Sequence, residues 1–138
     1  MQKRTIASIL KEASEQSTPE ARAEFLRRHD NPTLRTILVH MFHPDVQFEL
    51  PPGSPPYKPS EFDEYGNLYQ EARRLYLFVK GGNQNLTKVK RESLFIDILQ
   101  YVHKEDAELL IAMKDKKSPY KTINLKLVQK AFPGLVPT

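Results

Sequence analysis

Apolar residues recur at helical spacing along most of the chain, in short runs that proline or glycine separates. The first run has the spacing i, i+3, i+4, i+7 and predicts a helix from Lys3 to about Glu15. Its apolar members are Ile6, Ile9, Leu10 and Ala13. Thr18-Pro19-Glu20 is typical of a helix start, because it offers a capping hydroxyl, a proline for the first turn and an acid at the positive end of the helix dipole. A second helix is therefore predicted to follow and to end near Arg28.

The same start signal returns at Asn31-Pro32, so a third helix is predicted to run to about Phe42. A fourth apolar stripe predicts an α-helix from about Asn67 to Lys80. Gly81-Gly82 would end this helix, because glycine readily takes the left-handed conformation that follows many helices. The apolar positions of this stripe are Leu68, Ala72, Leu75, Tyr76 and Val79.

Three further helices are predicted in the second half of the chain. The fifth begins near Asn85 or Thr87, and the sixth begins between Lys104 and Asp106. Ser118-Pro119 breaks the pattern, and a last helix follows from Asn124 to about Phe132. The sequence therefore predicts an all-α fold, with residues 1–138 forming a single compact domain of six or seven short helices.

A proline-rich, acidic segment interrupts the helices between residues 43 and 67. It holds six of the eleven prolines, and proline lacks the amide hydrogen that a helix interior needs. It carries one lysine against five acids, a net charge of −4, which leaves the rest of the chain near +8. Its aromatic residues, Phe48, Tyr57, Phe62 and Tyr65, are unusual for a disordered linker. We therefore expect an extended crossing segment that packs on the helices.

Two details of this segment suggest other interpretations. Val46, Phe48 and Leu50 alternate with polar residues, as in a β-strand, but no partner strand is evident. The prolines around Pro-Pro-Tyr-Lys have spacings found in docking ligands for proline-binding domains. Both details are also explained by a rigid crossover whose aromatic residues pack on the helices of the same chain, and we favour this interpretation.

The composition excludes several classes of protein. There is no cysteine, which removes disulfides, thiolate metal sites and cysteine nucleophiles together. No apolar run approaches the ~20 residues of a membrane span. The N-terminal residues also lack the continuous apolar core of a signal peptide. We expect a protein of the cytoplasm that has no membrane partner.

Three motifs that suggest enzyme sites are explained better as helix ends. The segment 81–88 reads GGNQNLTK, but it lacks the glycine before Lys-Ser/Thr and the preceding strand of a phosphate loop. His40 and His43 could share a metal, yet histidine also suits a helix C-terminus. The acids Glu105, Asp106 and Glu108 are expected in a first helical turn. We therefore predict no catalytic residue, no cofactor, no metal and no small-molecule substrate, and hence no enzyme.

The strongest functional signal is a stretch of basic residues, from position 73 to position 91, that contains no acid. Lysines give diffuse, salt-sensitive attraction to phosphate, and arginines can bind it with two hydrogen bonds. An ordinary solvated surface explains the same charges equally well. The residues predicted to contact nucleic acid or another partner are Arg73, Arg74, Lys80, Asn83, Asn85, Lys88, Lys90 and Arg91.

Three strings of the sequence resemble a small uncharacterised family of contractile-tailed phages of the T-even type, notably cyanophages. The strings are HDNPTLRTIL, FHPDVQFELPPGSPPYK and KGGNQNLTKVKRESLFIDILQYVHKEDAELLIAMKDKK. The resemblance covers about Thr18 to Phe132, and Pro-Pro-Tyr-Lys and Gly-Gly-Asn-x-Asn-Leu are its most specific parts. It implies a single phage module made in a bacterial cytoplasm. It implies no activity and carries over no site residue.

Several functions remain open from the sequence. The leading hypothesis is a non-enzymatic phage accessory protein that binds nucleic acid, or the machinery that handles it, through the basic residues. A second is a structural or assembly component of the virion, in which acidic and basic surfaces meet neighbouring subunits. A third is an inhibitor that binds a protein of the bacterial host.

Overall fold

The structure is a computed structural model, and it describes residues 4–60 and 67–137. Seven α-helices and one 3-10 helix account for the regular structure of these residues. The α-helices are α1 (Ile6–Ser14), α2 (Pro19–Arg28), α3 (Pro32–Phe42), α4 (Asn67–Glu71), α5 (Lys88–Tyr101), α6 (Lys104–Lys114) and α7 (Leu125–Ala131). The 3-10 helix covers Ala72–Phe78 and continues directly from α4. The described residues contain no named strand, so the predicted all-α class is confirmed.

The helix boundaries follow from local capping. At the start of five helices, a side-chain oxygen accepts a hydrogen bond from the backbone N–H three residues further on, which satisfies a donor that the helix itself leaves free. The capping residues are Thr5, Thr18, Asn31, Thr87 and Asn124. The cap at Thr5 places the start of α1 at Ile6, inside the range predicted from Lys3 to Glu15. Residues 1–3 lie outside the described part of the chain.

The described residues share one hydrophobic core. Helix α1 packs on both α2 and α6, while α3 packs on α6 and α7 packs on α2. The side chain of Arg27 in α2 closes the C-terminal end of α7, because it donates hydrogen bonds to the carbonyl oxygens of Ala131 (3.1 Å) and Lys130 (3.0 Å). Arginine can satisfy both carbonyls at once because its guanidinium carries several donors in a fixed plane.

The predicted fourth helix is wrong in its second half. After Glu71 the backbone tightens into a 3-10 helix, in which residues three apart lie on one line. The buried line is Ala72, Leu75 and Phe78. Tyr76 was expected on the buried face of an α-helix, but the shorter period turns it outward, where 54% of it is exposed. Val79 leaves the helix altogether.

Residues 43–60 form an extended strap, as predicted, but the strap has a strand partner that the sequence did not show. Phe48 pairs with Val79 in an isolated antiparallel bridge. The Glu49 N–H donates to the Phe78 oxygen and the Lys80 N–H donates to the Gln47 oxygen, both at 2.8 Å. The 3-10 helix therefore ends where its chain turns to pair with the strap.

The strap is also held by side chains of α5 and by residues at the end of α6. Lys114 donates from Nζ to the Pro51 oxygen (2.8 Å), and Asp115 accepts from the Gly53 N–H (3.1 Å). Phe48, Leu50 and Tyr57 are partly buried against the core, as expected. The other two aromatic residues named in the sequence prediction, Phe62 and Tyr65, lie outside the described residues.

Candidate functional site

The candidate site is the loop between the 3-10 helix and α5 together with the first turn of α5, here called the basic loop and defined as residues 79–90. It opens with a tight turn in which the Gly82 N–H donates to the Val79 oxygen (2.9 Å). Gly81 has φ +87°, which fits the third position of a type II turn. The prediction that glycine supplies a left-handed residue here is therefore confirmed, although the glycine follows the β-bridge rather than the helix.

Gly82 packs directly against the end of the 3-10 helix. A Cβ atom at this position would overlap the carbonyl oxygen of Tyr76. Because that atom belongs to the backbone, no side-chain rotation could make room for it. The close approach fixes the start of the basic loop beside Tyr76.

The basic loop ends at the N-terminus of α5. The Thr87 side chain accepts from the Lys90 N–H at 3.2 Å and caps the helix. The sequence favoured a helix stop and an asparagine cap over a phosphate loop, and the structure shows Thr87 as the capping residue. Lys88 and Lys90 then occupy the first and third helical positions, and the first turn contains no acid. Positive side chains at the positive end of a helix dipole are unfavourable without a counter-charge, so this end of α5 favours an anion.

Three predicted contact residues, Lys80, Lys88 and Lys90, lie exposed around the basic loop. Each of them has no ion pair within residues 4–60 and 67–137. Because Phe78 at the end of the 3-10 helix packs on Phe95 of α5, with ring centroids 5.3 Å apart, these two helices lie together and the loop joins neighbouring ends. The three ammonium groups therefore flank one short loop.

The two predicted asparagines have different surroundings. The Asn83 side chain is half-buried, and its Oδ1 accepts from the Asn85 N–H at 3.0 Å, which stabilises the bend of the loop. Asn85 itself is exposed, as is Gln84 beside it. Asn83 therefore shapes the loop, while Asn85 presents its amide to solvent.

Arg91 does not lie on the surface where the sequence prediction placed it. Only 9% of the residue is exposed, and its Nη2 donates to the Leu86 oxygen at 2.9 Å. The guanidinium donates a hydrogen bond to a carbonyl oxygen of the basic loop. This hydrogen bond stabilises the loop from its buried side. Arg91 can add positive potential to the loop, but its side chain is committed to the fold.

The two predicted arginines of the 3-10 helix also differ. Arg74 donates to Glu71 at 2.9 Å and lines a shallow hollow with Asp97 and Tyr101, so its charge is largely matched by acids. Arg73 is exposed, and its one described contact is a long one of 3.5 Å from Nε to the Gln70 oxygen. Of the pair, Arg73 is the residue available to a partner.

Tyr76 is a surface residue that sequence reasoning missed. It lies three positions after Arg73, so the 3-10 geometry aligns the two side chains on one exposed line. The sequence did carry a signal for this: Ala72, Leu75 and Phe78 recur at a period of exactly three rather than 3.6. Val79 and Lys80, the first residues of the basic loop, follow the end of this helix.

Each of the two histidines considered for a metal contacts a backbone group through Nδ1. His40 contacts the Thr36 oxygen through Nδ1 at 2.7 Å, so this nitrogen must carry the hydrogen. His43 follows the end of α3, and its Nδ1 accepts from the Asp45 N–H. Burial lowers the pKa of His40, and the nearby Lys116 ammonium adds to this effect against the Thr36 contact. In the described part of the chain, no group of three or more potential ligands is close enough to hold a metal ion.

One of the acids at the start of α6 has a role that the sequence did not reveal. Asp106 is fully buried, and its Oδ1 accepts from the Ala7 N–H in the first turn of α1 at 2.9 Å. Burial raises the pKa of Asp106 to about 7, although the Ala7 hydrogen bond opposes this rise and the charge of Glu105 adds to it. The carboxyl group joins two helix ends inside the fold, away from the basic loop.

A groove of about 440 Å³ lies between the strap prolines and α5. Its walls are mainly apolar, and the Lys114 ammonium at its base already binds Pro51 and Asp115. No helix in the described ranges is both long and apolar enough to cross a membrane.

Among curated proteins, none matches this sequence. A family model does match, and it spans residues 9–119, from α1 through the strap and the basic loop to the residues after α6. The match covers more than half of the chain. The chain therefore belongs to DUF6433, a family of unknown function.

Proposed function

We propose that this protein binds nucleic acid through the basic loop and is not an enzyme. The observation that supports the proposal best is the set of three exposed lysines, Lys80, Lys88 and Lys90, around one loop that has no acid within it. The uncompensated N-terminus of α5 adds to the attraction for phosphate. Phosphate oxygens are the counter-charge that such a surface lacks.

A pair of variants with equal net charge tests the proposal. Lys88→Glu with Lys90→Glu reverses two charges at the basic loop, whereas Lys121→Glu with Lys126→Glu reverses two exposed lysines before and within α7. We expect the first pair to weaken binding of a labelled oligonucleotide by at least about ten-fold at low salt, and the second to have little effect. Fluorescence anisotropy measures both.

The salt dependence gives a second readout of the same contacts. Neutralising both residues, by Lys88→Gln and Lys90→Gln, should reduce the slope of log K against log salt by roughly 1.4 to 1.8, because each phosphate contact contributes about 0.7 for single strands and 0.9 for duplex DNA. The absence of binding to DNA and RNA at low salt, or an equal loss in both charge-reversed pairs, would refute the proposal.

We also propose, from the resemblance to phage proteins, that the protein acts in the cytoplasm of a bacterial host. A protein that acts on nucleic acid inside the cell should be absent from purified phage particles, whereas a structural part of the virion should be present in them. Mass spectrometry of such particles should find no stoichiometric copy of this chain. A fixed copy number per particle would favour the assembly role instead.

A further inference from the structure

We propose that the bound nucleic acid is single-stranded, and that Tyr76 stacks on one of its unpaired bases while Arg73 and Lys80 contact the adjoining phosphates. This inference rests on the proposed function and names its substrate class. It concerns the exposed line of the 3-10 helix and the first cation of the basic loop, a surface here called the stacking platform and defined as Arg73, Tyr76 and Lys80.

The geometry of the 3-10 helix brings an aromatic ring and a cation together. Each residue advances the helix by about 2 Å, so Arg73 and Tyr76 start about 6 Å apart along one line. Both are exposed, and 54% of Tyr76 is open to solvent. In the described part of the chain, neither side chain takes part in an ion pair or a ring contact.

Three sets of contacts fix the backbone around Tyr76. Its neighbours Leu75 and Phe78 are fully buried in the core. The Tyr76 carbonyl lies against Gly82, and the bridge between Phe48 and Val79 fixes the chain directly after the helix. Because this backbone is already fixed, it loses little conformational entropy when the Tyr76 side chain binds a base. The fixed backbone therefore favours stacking on this side chain.

The chemistry of the platform fits unpaired bases better than a duplex. A base stacks on an aromatic ring only when its face is free, and base pairs in a duplex already stack on one another. Non-specific binders of single strands combine such rings with a basic groove that follows the phosphates. The sequence from Ala72 to Arg91 contains no acid, so the segment that carries the platform adds no negative charge to it.

Tyr101 provides a matched comparison. It is 47% exposed, similar to Tyr76, but it shares its hollow with the acids Glu71 and Asp97. Negative charge beside the ring repels phosphate. Of these two exposed tyrosines, Tyr76 alone stands in surroundings that suit nucleic acid.

The first experiment compares Tyr76→Ala with Tyr101→Ala. The probes are single-stranded DNA and RNA oligonucleotides and a duplex of the same length. We expect Tyr76→Ala to weaken single-strand binding by at least about five-fold, the effect of losing one stacked base, and to leave duplex binding nearly unchanged. Tyr101→Ala should affect neither. Both side chains are substantially exposed, so we expect each variant to fold, and circular dichroism will test this.

The second experiment detects the stacking directly. The chain contains no tryptophan, so Tyr76→Trp introduces a single indole reporter. Titration with single-stranded oligonucleotide should quench its fluorescence with the same midpoint as the anisotropy curve. Tyr101→Trp, read in the same way, should change little.

The outcomes separate this inference from the proposed function. Equal affinity for single strands and duplex, together with an unchanged affinity in Tyr76→Ala, would overturn the stacking platform but leave the lysine contacts in place. Loss of binding in Lys88→Glu with Lys90→Glu, combined with a selective single-strand loss in Tyr76→Ala, supports both. If the wild-type protein binds no oligonucleotide at low salt, both proposals fall.

Discussion

Asp106 is the most unusual ionisable residue in the described part of the chain, because its carboxyl group is buried and only one of its oxygens has a hydrogen-bond partner among the described residues. Its pKa rises from 3.8 to about 7. In the unfolded chain the group ionises near pH 4, whereas the folded protein keeps it neutral up to about pH 7. The free energy of unfolding should therefore fall as pH rises through this window, since the folded state binds the extra proton.

Asp106→Asn should remove this pH dependence. The amide keeps an acceptor for the Ala7 N–H but carries no charge. We expect the variant and the wild type to have similar stability near pH 4. At pH 8 the variant should be more stable by up to about 4 kcal/mol, because a shift of roughly three pKa units is worth 1.36 kcal/mol per unit. Urea unfolding at several pH values measures the difference.

The matched control for this prediction is Asp45→Asn, which neutralises an exposed aspartate at the start of the strap. Its difference from the wild type should vary little with pH. The interpretation of Asp106 would be contradicted if Asp106→Asn lost stability relative to the wild type as pH rose from 4 to 8. That result would mean that the ionised carboxylate at the start of α1 is favourable in the folded state.

At the scale of elements, the strap depends on a few polar contacts with the end of α6. The Lys114 side chain is 2% exposed and binds both the Pro51 oxygen and Asp115. Burial alone would raise the pKa of Asp115, but hydrogen bonds from Lys114 and the Gly53 amide hold it below its usual value. The side chains of Lys114 and Asp115 together therefore attach the backbone of Pro51 and Gly53 to the end of α6.

Lys114→Met should release this part of the strap. The substitution keeps most of the side-chain volume but removes the ammonium that donates to the Pro51 carbonyl and the Asp115 carboxylate, which costs about 1–3 kcal/mol in unfolding free energy. Hydrogen exchange should become faster at the Gly53 amide, while the Glu49 amide, held by Phe78, keeps its protection. Lys117→Met, at an exposed lysine, is the control. Unchanged exchange at Gly53 would show that packing alone holds the strap.

The elements that the sequence predicted well are those whose signals are local. Threonine or asparagine followed by proline marks the starts of α2 and α3, and Thr87 and Asn124 cap α5 and α7. Such caps act within one turn, so no knowledge of the tertiary fold is needed. The exposure of Lys88 and Lys90 follows in the same way from their positions in the first turn of α5.

The misplaced residues depend on contacts that the helical pattern of the sequence does not show. The 3-10 helix ends where Val79 pairs with Phe48, 31 positions earlier, and within that helix the shorter period places Tyr76 on the surface. Arg91 is buried because a loop carbonyl requires a donor, which a count of charges along the chain cannot show. Part of the candidate site, and the burial of Arg91 above all, could therefore be recognised only in three dimensions.

For the molecule as a whole, the described helices and the strap share one core, so they should unfold together. The strap packs Phe48, Leu50 and Tyr57 on that core, and Arg27 joins α2 to the end of α7. We expect a single thermal transition, with the same midpoint by far-ultraviolet circular dichroism, which follows the helices, and by tyrosine near-ultraviolet signals, which follow packing. Its heat capacity change should be roughly 1.7–2.1 kcal/mol/K for a chain of this length.

Two observations would contradict this cooperative behaviour. An early loss of the tyrosine signal, with the helix signal intact, would show that the strap detaches before the helices melt. A calorimetric enthalpy clearly larger than the van't Hoff enthalpy would show that the chain unfolds in more than one unit. Either result would also weaken the stacking platform, because the backbone of Tyr76 is fixed by the bridge to the strap. A single coincident transition, in contrast, would mean that the strap and the helices unfold as one cooperative unit.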